Sequence, residues 1–148
     1  MKRIPVLLLG SVLAVGLIAA GCGGGDDDSD TTTSLTKAEW IAKADAICQQ
    51  GNQEINQAAQ QQFGNQKPTA AAVQQFATGT ALPNTQTQVD KIRALGAPSG
   101  DEDQVNEILD TVQGDIDKAK SAGDIEDSTF ADGNALAKQY GLKVCGQD

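Results

Sequence analysis

The side chains able to do chemistry in this chain of 148 residues are three cysteines, Cys22, Cys48 and Cys145, and a set of acids. The chain has no His, and its only Met is Met1. These absences exclude Ser-His-Asp and Cys-His catalysis, imidazole metal sites and haem held by His or an internal Met. The cysteines do not form a C-x-x-C pair, and two cysteines without His cannot build a zinc site by themselves.

Carboxylates are the remaining candidates for catalysis or cation binding. Asp115 and Asp117 lie two positions apart on a predicted helix, so they point in different directions, and lysines flank them. We expect both to be surface charges. The acidic run 26–30 has no turn Gly and distal Glu at EF-hand spacing, which indicates a solvated spacer. The sequence therefore predicts no catalytic residue, no cofactor-binding residue and no metal ligand, and hence a protein that is not an enzyme.

The first 22 residues have the sequence pattern of an export signal. A basic start, Met1-Lys2-Arg3, precedes the apolar run 4–20, which ends at Gly21-Cys22. A basic start, an apolar stretch and small residues before a cut describe a secretory signal peptide. The segment resembles the lipobox of bacterial lipoproteins, which implies that residues 1–21 are removed and that Cys22 carries the lipid. The alternative is an uncleaved transmembrane anchor with an incidental cysteine.

Both interpretations place the rest of the chain outside the cytoplasm, tethered to the cell membrane, and two acyl chains are enough for stable anchoring. Residues 22–35 combine the lipidated cysteine with a linker rich in Gly, Asp and Thr, which we expect to be flexible. Residues 36–148 form the predicted helical domain. The net charge of -9 and the pI near 4.3 argue against nucleic acid as a partner.

The two other cysteines lie near the two ends of the predicted domain. If Cys22 is acylated, Cys48 and Cys145 are left as a pair in an oxidising location, which favours one disulfide. The alternative is two unpaired cysteines. A bridge between them would close a loop of about 100 residues and stabilise the domain by roughly 4–5 kcal/mol.

The first predicted helix begins with Thr36-Lys37-Ala38-Glu39, which fits a capping box. Residues spaced by three and four then form one stripe that we expect to be buried. This stripe comprises Ile41, Ala44, Cys48, Gly51, Ile55, Ala58 and Gln62. The helix is predicted to end near Phe63, where Gly64 can take a positive φ.

Three further helices are predicted between Gly and Pro signals. The second starts at Pro68 or Thr69 and is weakened or kinked by Gly79 and Pro83 before it ends near Leu95. The third is capped by Ser99 and ends at Gly123; its seam consists of Val105, Ile108, Leu109, Val112, Ile116 and Ala119. The fourth starts at Ser128 or Thr129 and carries Phe130, Ala137 and Tyr140, with Gly141 at its end.

No segment shows the period-two alternation of strands. Four helices joined by short loops predict an all-α antiparallel four-helix bundle. In that order the fourth helix ends beside the start of the first. The apolar tail 142–144 would then bring Cys145 to Cys48 on the first helix.

The whole chain resembles the small, membrane-anchored, Ala-rich helical lipoproteins of Gram-positive type. The resemblance implies no catalytic or binding residue. We expect a non-catalytic interaction domain whose partner is an envelope protein or the cell wall. The alternative is a carrier of a small apolar ligand in a pocket between the helices, although an Ala-rich interior with few aromatic residues tends to close up.

Overall fold

The structure, a computed structural model, describes residues 34–126 and 128–147. These residues are all-helical, without a strand, and they form four helices, of which the second consists of two α-helical stretches joined by a π-helical turn. The elements are α1 (Lys37–Phe63), α2 (Ala70–Phe76), the π turn (Ala77–Ala81), α3 (Leu82–Arg93), α4 (Glu102–Ala122) and α5 (Ala131–Tyr140). The predicted signal peptide and Cys22 lie outside the described residues.

The start of α1 is the predicted capping box. The backbone N–H of Glu39 donates to Thr36 Oγ1, and the backbone N–H of Thr36 donates to Glu39 Oε2 at 2.9 Å. Hydrogen bonds from the Thr36 side chain and backbone lower the pKa of the Glu39 carboxyl. Two otherwise unpaired helix donors are thus satisfied within four residues. The helix ends at Phe63, and Gly64 follows with φ +55°, as predicted.

The second helix begins with Thr69, whose Oγ1 accepts the N–H of Ala72. The predicted weak point around Gly79 and Pro83 is a π-helical turn between α2 and α3 rather than a break. Pro83 is the second residue after this turn, and because it has no N–H it cannot donate to the helical hydrogen-bond ladder at that point.

Two predicted helix starts are wrong by a few residues. The third helix, α4, begins after Asp101 rather than Ser99, and no side chain caps it. Asp101 instead accepts the hydroxyl of Tyr140 at 2.7 Å. The last helix begins after Phe130, because Thr129 Oγ1 accepts the N–H of Glu126 in the preceding loop. The Asp101 contact spans 39 positions, whereas the Thr129 contact is made within its own loop.

The predicted stripe on α1 is partly confirmed. Ala44, Cys48 and Gly51 are buried, but the stripe starts at Trp40, which has no exposed surface, whereas Ile41 is half-buried. Gln62 is exposed. The seam on α4 is buried as predicted, except that Val112 is half-buried. Trp40 meets Tyr140 edge to face, with ring centroids 5.5 Å apart, so α1 and α5 share the aromatic centre of the core.

Contacts link the helices in sequence order. α1 packs on α3, α3 on α4 and α4 on α5, and the Trp40–Tyr140 contact joins α5 to α1. Thr32–Asp148 form one compact unit, and every residue of the hydrophobic core belongs to it. This part of the chain therefore contains all the packing interactions of the described fold.

Candidate functional site

A cavity of about 250 Å³ lies between the helices. Its wall is formed by residues of α1, α3, α4 and α5, of the loop before α5 and of the C-terminal tail. They are Trp40, Cys48, Asn52, Thr85, Gln88, Val89, Ile92, Ile108, Leu109, Val112, Phe130, Asn134, Ala137, Leu142, Val144, Cys145 and Gln147. From the Ala-rich composition we expected an interior that closes up and leaves little room for a pocket. The cavity persists because its wall is made mainly of larger side chains, with Ala137 the one alanine.

The wall is divided by polarity. Apart from the indole N–H of Trp40, the side chains of its buried members are apolar or disulfide-bonded: Trp40, Cys48, Val89, Ile92, Ile108, Leu109, Ala137 and Leu142. We call these residues the floor. The polar members are all half-buried or exposed: Asn52, Thr85, Gln88, Asn134 and Gln147. We call these residues the rim. A molecule in the cavity therefore meets apolar surface inside and amide or hydroxyl groups near solvent.

Within residues 34–126 and 128–147, no charged side chain belongs to this wall, although 21% of the residues of the chain are charged. The two cysteines of the wall form a disulfide and do not titrate. An ion that entered the cavity would lose water without gaining a counter-charge, and burying an unpaired charge is unfavourable.

Gln88 is held in the rim by a close approach of α3 to α1. Its Nε2 donates to Asn84 Oδ1 at 2.8 Å, and Asn84 Nδ2 donates to Glu54 Oε2 at 2.9 Å. Hydrogen bonds from Gln50 and Asn84 lower the pKa of Glu54. The side chain of Gln88 occupies the space where a Cβ on Gly51 would lie, so a larger residue at position 51 would displace Gln88 from this position. Gly51 was predicted to be buried, but its role in seating Gln88 was not.

The C-terminal tail closes one side of the cavity and is fixed to α1. The Asp45 carboxylate accepts three consecutive backbone N–H groups, from Lys143, Val144 and Cys145, at 2.8–3.2 Å. Cys48 and Cys145 are joined by a disulfide, as predicted, with Cα atoms 5.3 Å apart. Sequence reasoning missed Asp45, which lies on the predicted helix without any local signal that its partners are about 100 positions away.

The tail also packs tightly against α5. A Cβ on the buried Gly146 would lie 3.0 Å from the carbonyl oxygen of Asn134 and 3.0 Å from the backbone nitrogen of Lys138. Leu142 is buried in the core. The tail is therefore held on both sides, by α1 and by α5, and forms a fixed wall of the cavity.

Trp40 lies at the floor and is the only Trp of the chain. Its indole Nε1 is buried and has no hydrogen-bond partner within the described residues. Because the floor contains the single strong fluorophore, the emission of Trp40 reports directly on what enters the cavity.

The two acids singled out from the sequence have different surroundings. Asp117 is exposed, as predicted. The prediction for Asp115 was wrong: its side chain is 10% exposed, with Lys118 Nζ at 3.4 Å from Oδ1, and its Oδ2 is unpaired within the described residues. In the part of the chain that the structure describes, no three acidic or cysteine side chains are placed to hold a metal ion.

Comparison of the chain with protein families, with curated proteins and with solved structures finds no match. Among residues 34–126 and 128–147, no helix is long and apolar enough to span a bilayer.

Proposed function

We propose that the protein is a non-catalytic, lipid-anchored lipoprotein of the cell membrane, facing away from the cytoplasm, whose helical domain binds a small and largely apolar molecule. The observation that carries this proposal is the cavity, with its apolar floor and its uncharged polar rim. Ligand sites in helical bundles lie between the helices and combine apolar walls with a few polar groups. The cavity has both features.

The volume indicates the size of the molecule. An apolar protein cavity of about 150 Å³ binds benzene, which has six carbon atoms. In the same proportion, the cavity of about 250 Å³ accommodates roughly ten non-hydrogen atoms. A short-chain amphiphile or a two-ring compound is of this size, whereas a long-chain lipid is not.

For the arrangement of the helices we propose the antiparallel bundle. Side-chain pairs between neighbouring helices support it, because their residue numbers run in opposite directions. Asn84 bonds to Glu54 near the start of α3, and Phe76 at the end of α2 contacts Phe63 at the end of α1. Between α3 and α4, Gln86 bonds to Gln113 at 2.7 Å and Arg93 pairs with Asp110 at 3.0 Å.

For the anchor we propose acylation of Cys22 after removal of residues 1–21. The basic start, the apolar run and Gly21-Cys22 support it. The disulfide between Cys48 and Cys145 adds support, since it leaves Cys22 as the one cysteine outside the bridge. The domain would then reach its ligand at the outer face of the membrane.

The first expectation from the sequence is an interaction domain whose partner is an envelope protein or the cell wall. In residues 34–126 and 128–147, Val73 is the single large hydrophobic residue classed as exposed, at 45%. Protein interfaces commonly have aromatic and apolar anchors at their centre. The surface of the described residues has few apolar anchors of this type. Together with the cavity, this favours ligand binding over docking of a protein.

The test uses the domain from Thr32 onward, the compact unit that contains the whole core. Titration with 1-octanol is followed by calorimetry and by the emission of Trp40. Thr85→Phe fills the cavity, and Thr87→Phe is its matched control, because both hydroxyls donate to the carbonyl four residues earlier at 3.0 Å and Thr87 is exposed outside the cavity.

We expect saturable binding of 1-octanol by the unchanged domain and by Thr87→Phe, and loss of binding in Thr85→Phe. Near-ultraviolet circular dichroism verifies that each variant is folded. If Thr85→Phe is unfolded, Ala137→Leu fills the cavity from α5, with the exposed Ala135→Leu as its control. No binding by the unchanged domain, or equal binding by the filled variant, contradicts the proposal.

A further inference from the structure

We infer that the bound molecule is an uncharged amphiphile, with its apolar end on the floor and a hydroxyl or amide group at the rim. This inference depends on the proposed function and specifies the chemical class of its ligand. It excludes carboxylates, phosphates and ammonium compounds of the same size. Three features of the cavity support it.

The first feature is the absence of charge from the wall. Each of the rim side chains Asn52, Thr85, Gln88, Asn134 and Gln147 is neutral, and so is each floor side chain. A carboxylate or an ammonium group would need an opposite charge or several aligned dipoles to replace its water. The wall supplies carboxamides and one hydroxyl, which solvate a neutral polar group far better than they solvate an ion.

The second feature is the type of polar group at the rim. Four of the five rim residues carry carboxamides, a group with two N–H donors and one carbonyl acceptor, and one of the donors of Gln88 is already bonded to Asn84. A partner that both donates and accepts, such as a hydroxyl or an amide, uses both kinds of group. A hydrocarbon forms no hydrogen bond, so it would deprive the exposed carboxamides of Asn52 and Gln147 of water without replacing it, which is unfavourable.

The third feature is the difference in burial between the floor and the rim, which sets the orientation of the bound molecule. Trp40 and Leu142 on the floor are 0% and 4% exposed, whereas Asn52 and Gln147 on the rim are exposed. The apolar end of an amphiphile gains most from the floor, since removal of apolar surface from water is the main driving force for such binding. Its polar end then lies at the rim, next to solvent.

Three probes of equal chain length test the inference at pH 7: 1-octanol, octanoate and octylammonium. Calorimetry on the domain from Thr32 onward measures each dissociation constant. We expect 1-octanol to bind at least about tenfold more tightly than either ion, because only the ions lose hydration of a charge without compensation. Octanoate or octylammonium binding as tightly as 1-octanol overturns the inference while the proposed function stands. If none of the three binds, the proposed function itself fails.

A matched pair of variants on α1 tests the role of the rim. Asn52→Lys adds a cation to the rim, and Gln53→Lys adds the same cation to the next residue, which is exposed and outside the cavity wall. We expect Asn52→Lys to improve octanoate binding by about threefold to tenfold, since an opposite charge a few ångströms away stabilises the ion. Gln53→Lys should change it less than about twofold, because exposed charges are screened. Equal effects of the two variants contradict the placement of the polar group at the rim.

Discussion

The C-terminal tail is the part of the cavity wall whose attachment can be removed most cleanly. A domain that begins at Thr32 lacks Cys22, so reduction acts on the Cys48–Cys145 bridge alone. The double variant Cys48→Ser with Cys145→Ser removes the same bond without reductant. We expect both treatments to lower the free energy of unfolding strongly and to a similar extent.

The magnitude follows from the length of chain that the bridge closes. The two cysteines are separated by 97 positions, and loop-closure entropy for that length gives about 4.7 kcal/mol at 25 °C. Measured losses for native disulfides are typically about 2–5 kcal/mol. For a domain of this size, each kcal/mol lowers the melting temperature by about 4 °C, so the bridge accounts for about 8–20 °C.

The carboxylate of Asp45 holds the same tail through three backbone N–H groups, so its contribution should depend on the bridge. In the oxidised domain Asp45→Ala should cost about 1–3 kcal/mol, since charge-assisted hydrogen bonds are lost. In the Ser double variant the tail is already freer, and the same change should cost less than half as much. This coupling is a double-mutant cycle.

Urea unfolding followed by far-ultraviolet circular dichroism gives all four free energies at constant pH. A loss of less than about 1 kcal/mol on breaking the bridge would show that loop closure contributes little to the stability of this domain. Strictly additive losses would show that the disulfide and Asp45 do not hold one common segment.

Three other predictions concern the core, the buried acid and the anchor. Leu109→Ala should lower the free energy of unfolding in urea melts by about 2–5 kcal/mol, because Leu109 is 4% exposed and its truncation enlarges the cavity. A loss below about 1 kcal/mol would contradict the place of Leu109 in the core. Asp115→Ala should raise the free energy of unfolding by about 1–2 kcal/mol, since it removes a buried unpaired oxygen and Ala favours helix, whereas the exposed Asp117→Ala should change it by less than about 0.5 kcal/mol. A lower free energy of unfolding in Asp115→Ala would show that the carboxylate stabilises the fold. Cys22→Ala should abolish incorporation of labelled palmitate in cells, and normal labelling and processing of that variant would exclude the lipobox.

Local patterns in the sequence predicted most of the helical framework. The capping box at Thr36 and the end of α1 at Gly64 involve residues within one turn of each other, so the pattern contains the whole interaction. The pairing of Cys48 with Cys145 could be predicted across 97 positions because parity left few alternatives. The predicted helix starts at Ser99 and Thr129 were wrong by a few residues: the chain first makes a turn from Pro98 to Asp101, and Thr129 Oγ1 accepts the N–H of Glu126.

The cavity could not be predicted, because it depends on side chains from every part of the domain. Asn52 was one polar residue on a polar helix face, and nothing local distinguishes it from Gln53. Asp45 and Asp115 both lie on predicted helices, and their surroundings are set by how those helices pack. The absence of His limits a site in this chain to uncharged or acidic chemistry. Which residues form the cavity depends on how α1 packs against α3, α5 and the tail.

Isotope-filtered NOE spectroscopy on the labelled domain with unlabelled 1-octanol measures whether the cavity holds a neutral amphiphile in one orientation. We predict NOEs from the terminal methyl group of 1-octanol to methyl groups of Ile108 and Leu109 on the floor, and from its C1 protons to the side chains of Asn52 and Gln88 on the rim. Absence of NOEs to the floor, or the reverse orientation with C1 beside Ile108, would contradict the account.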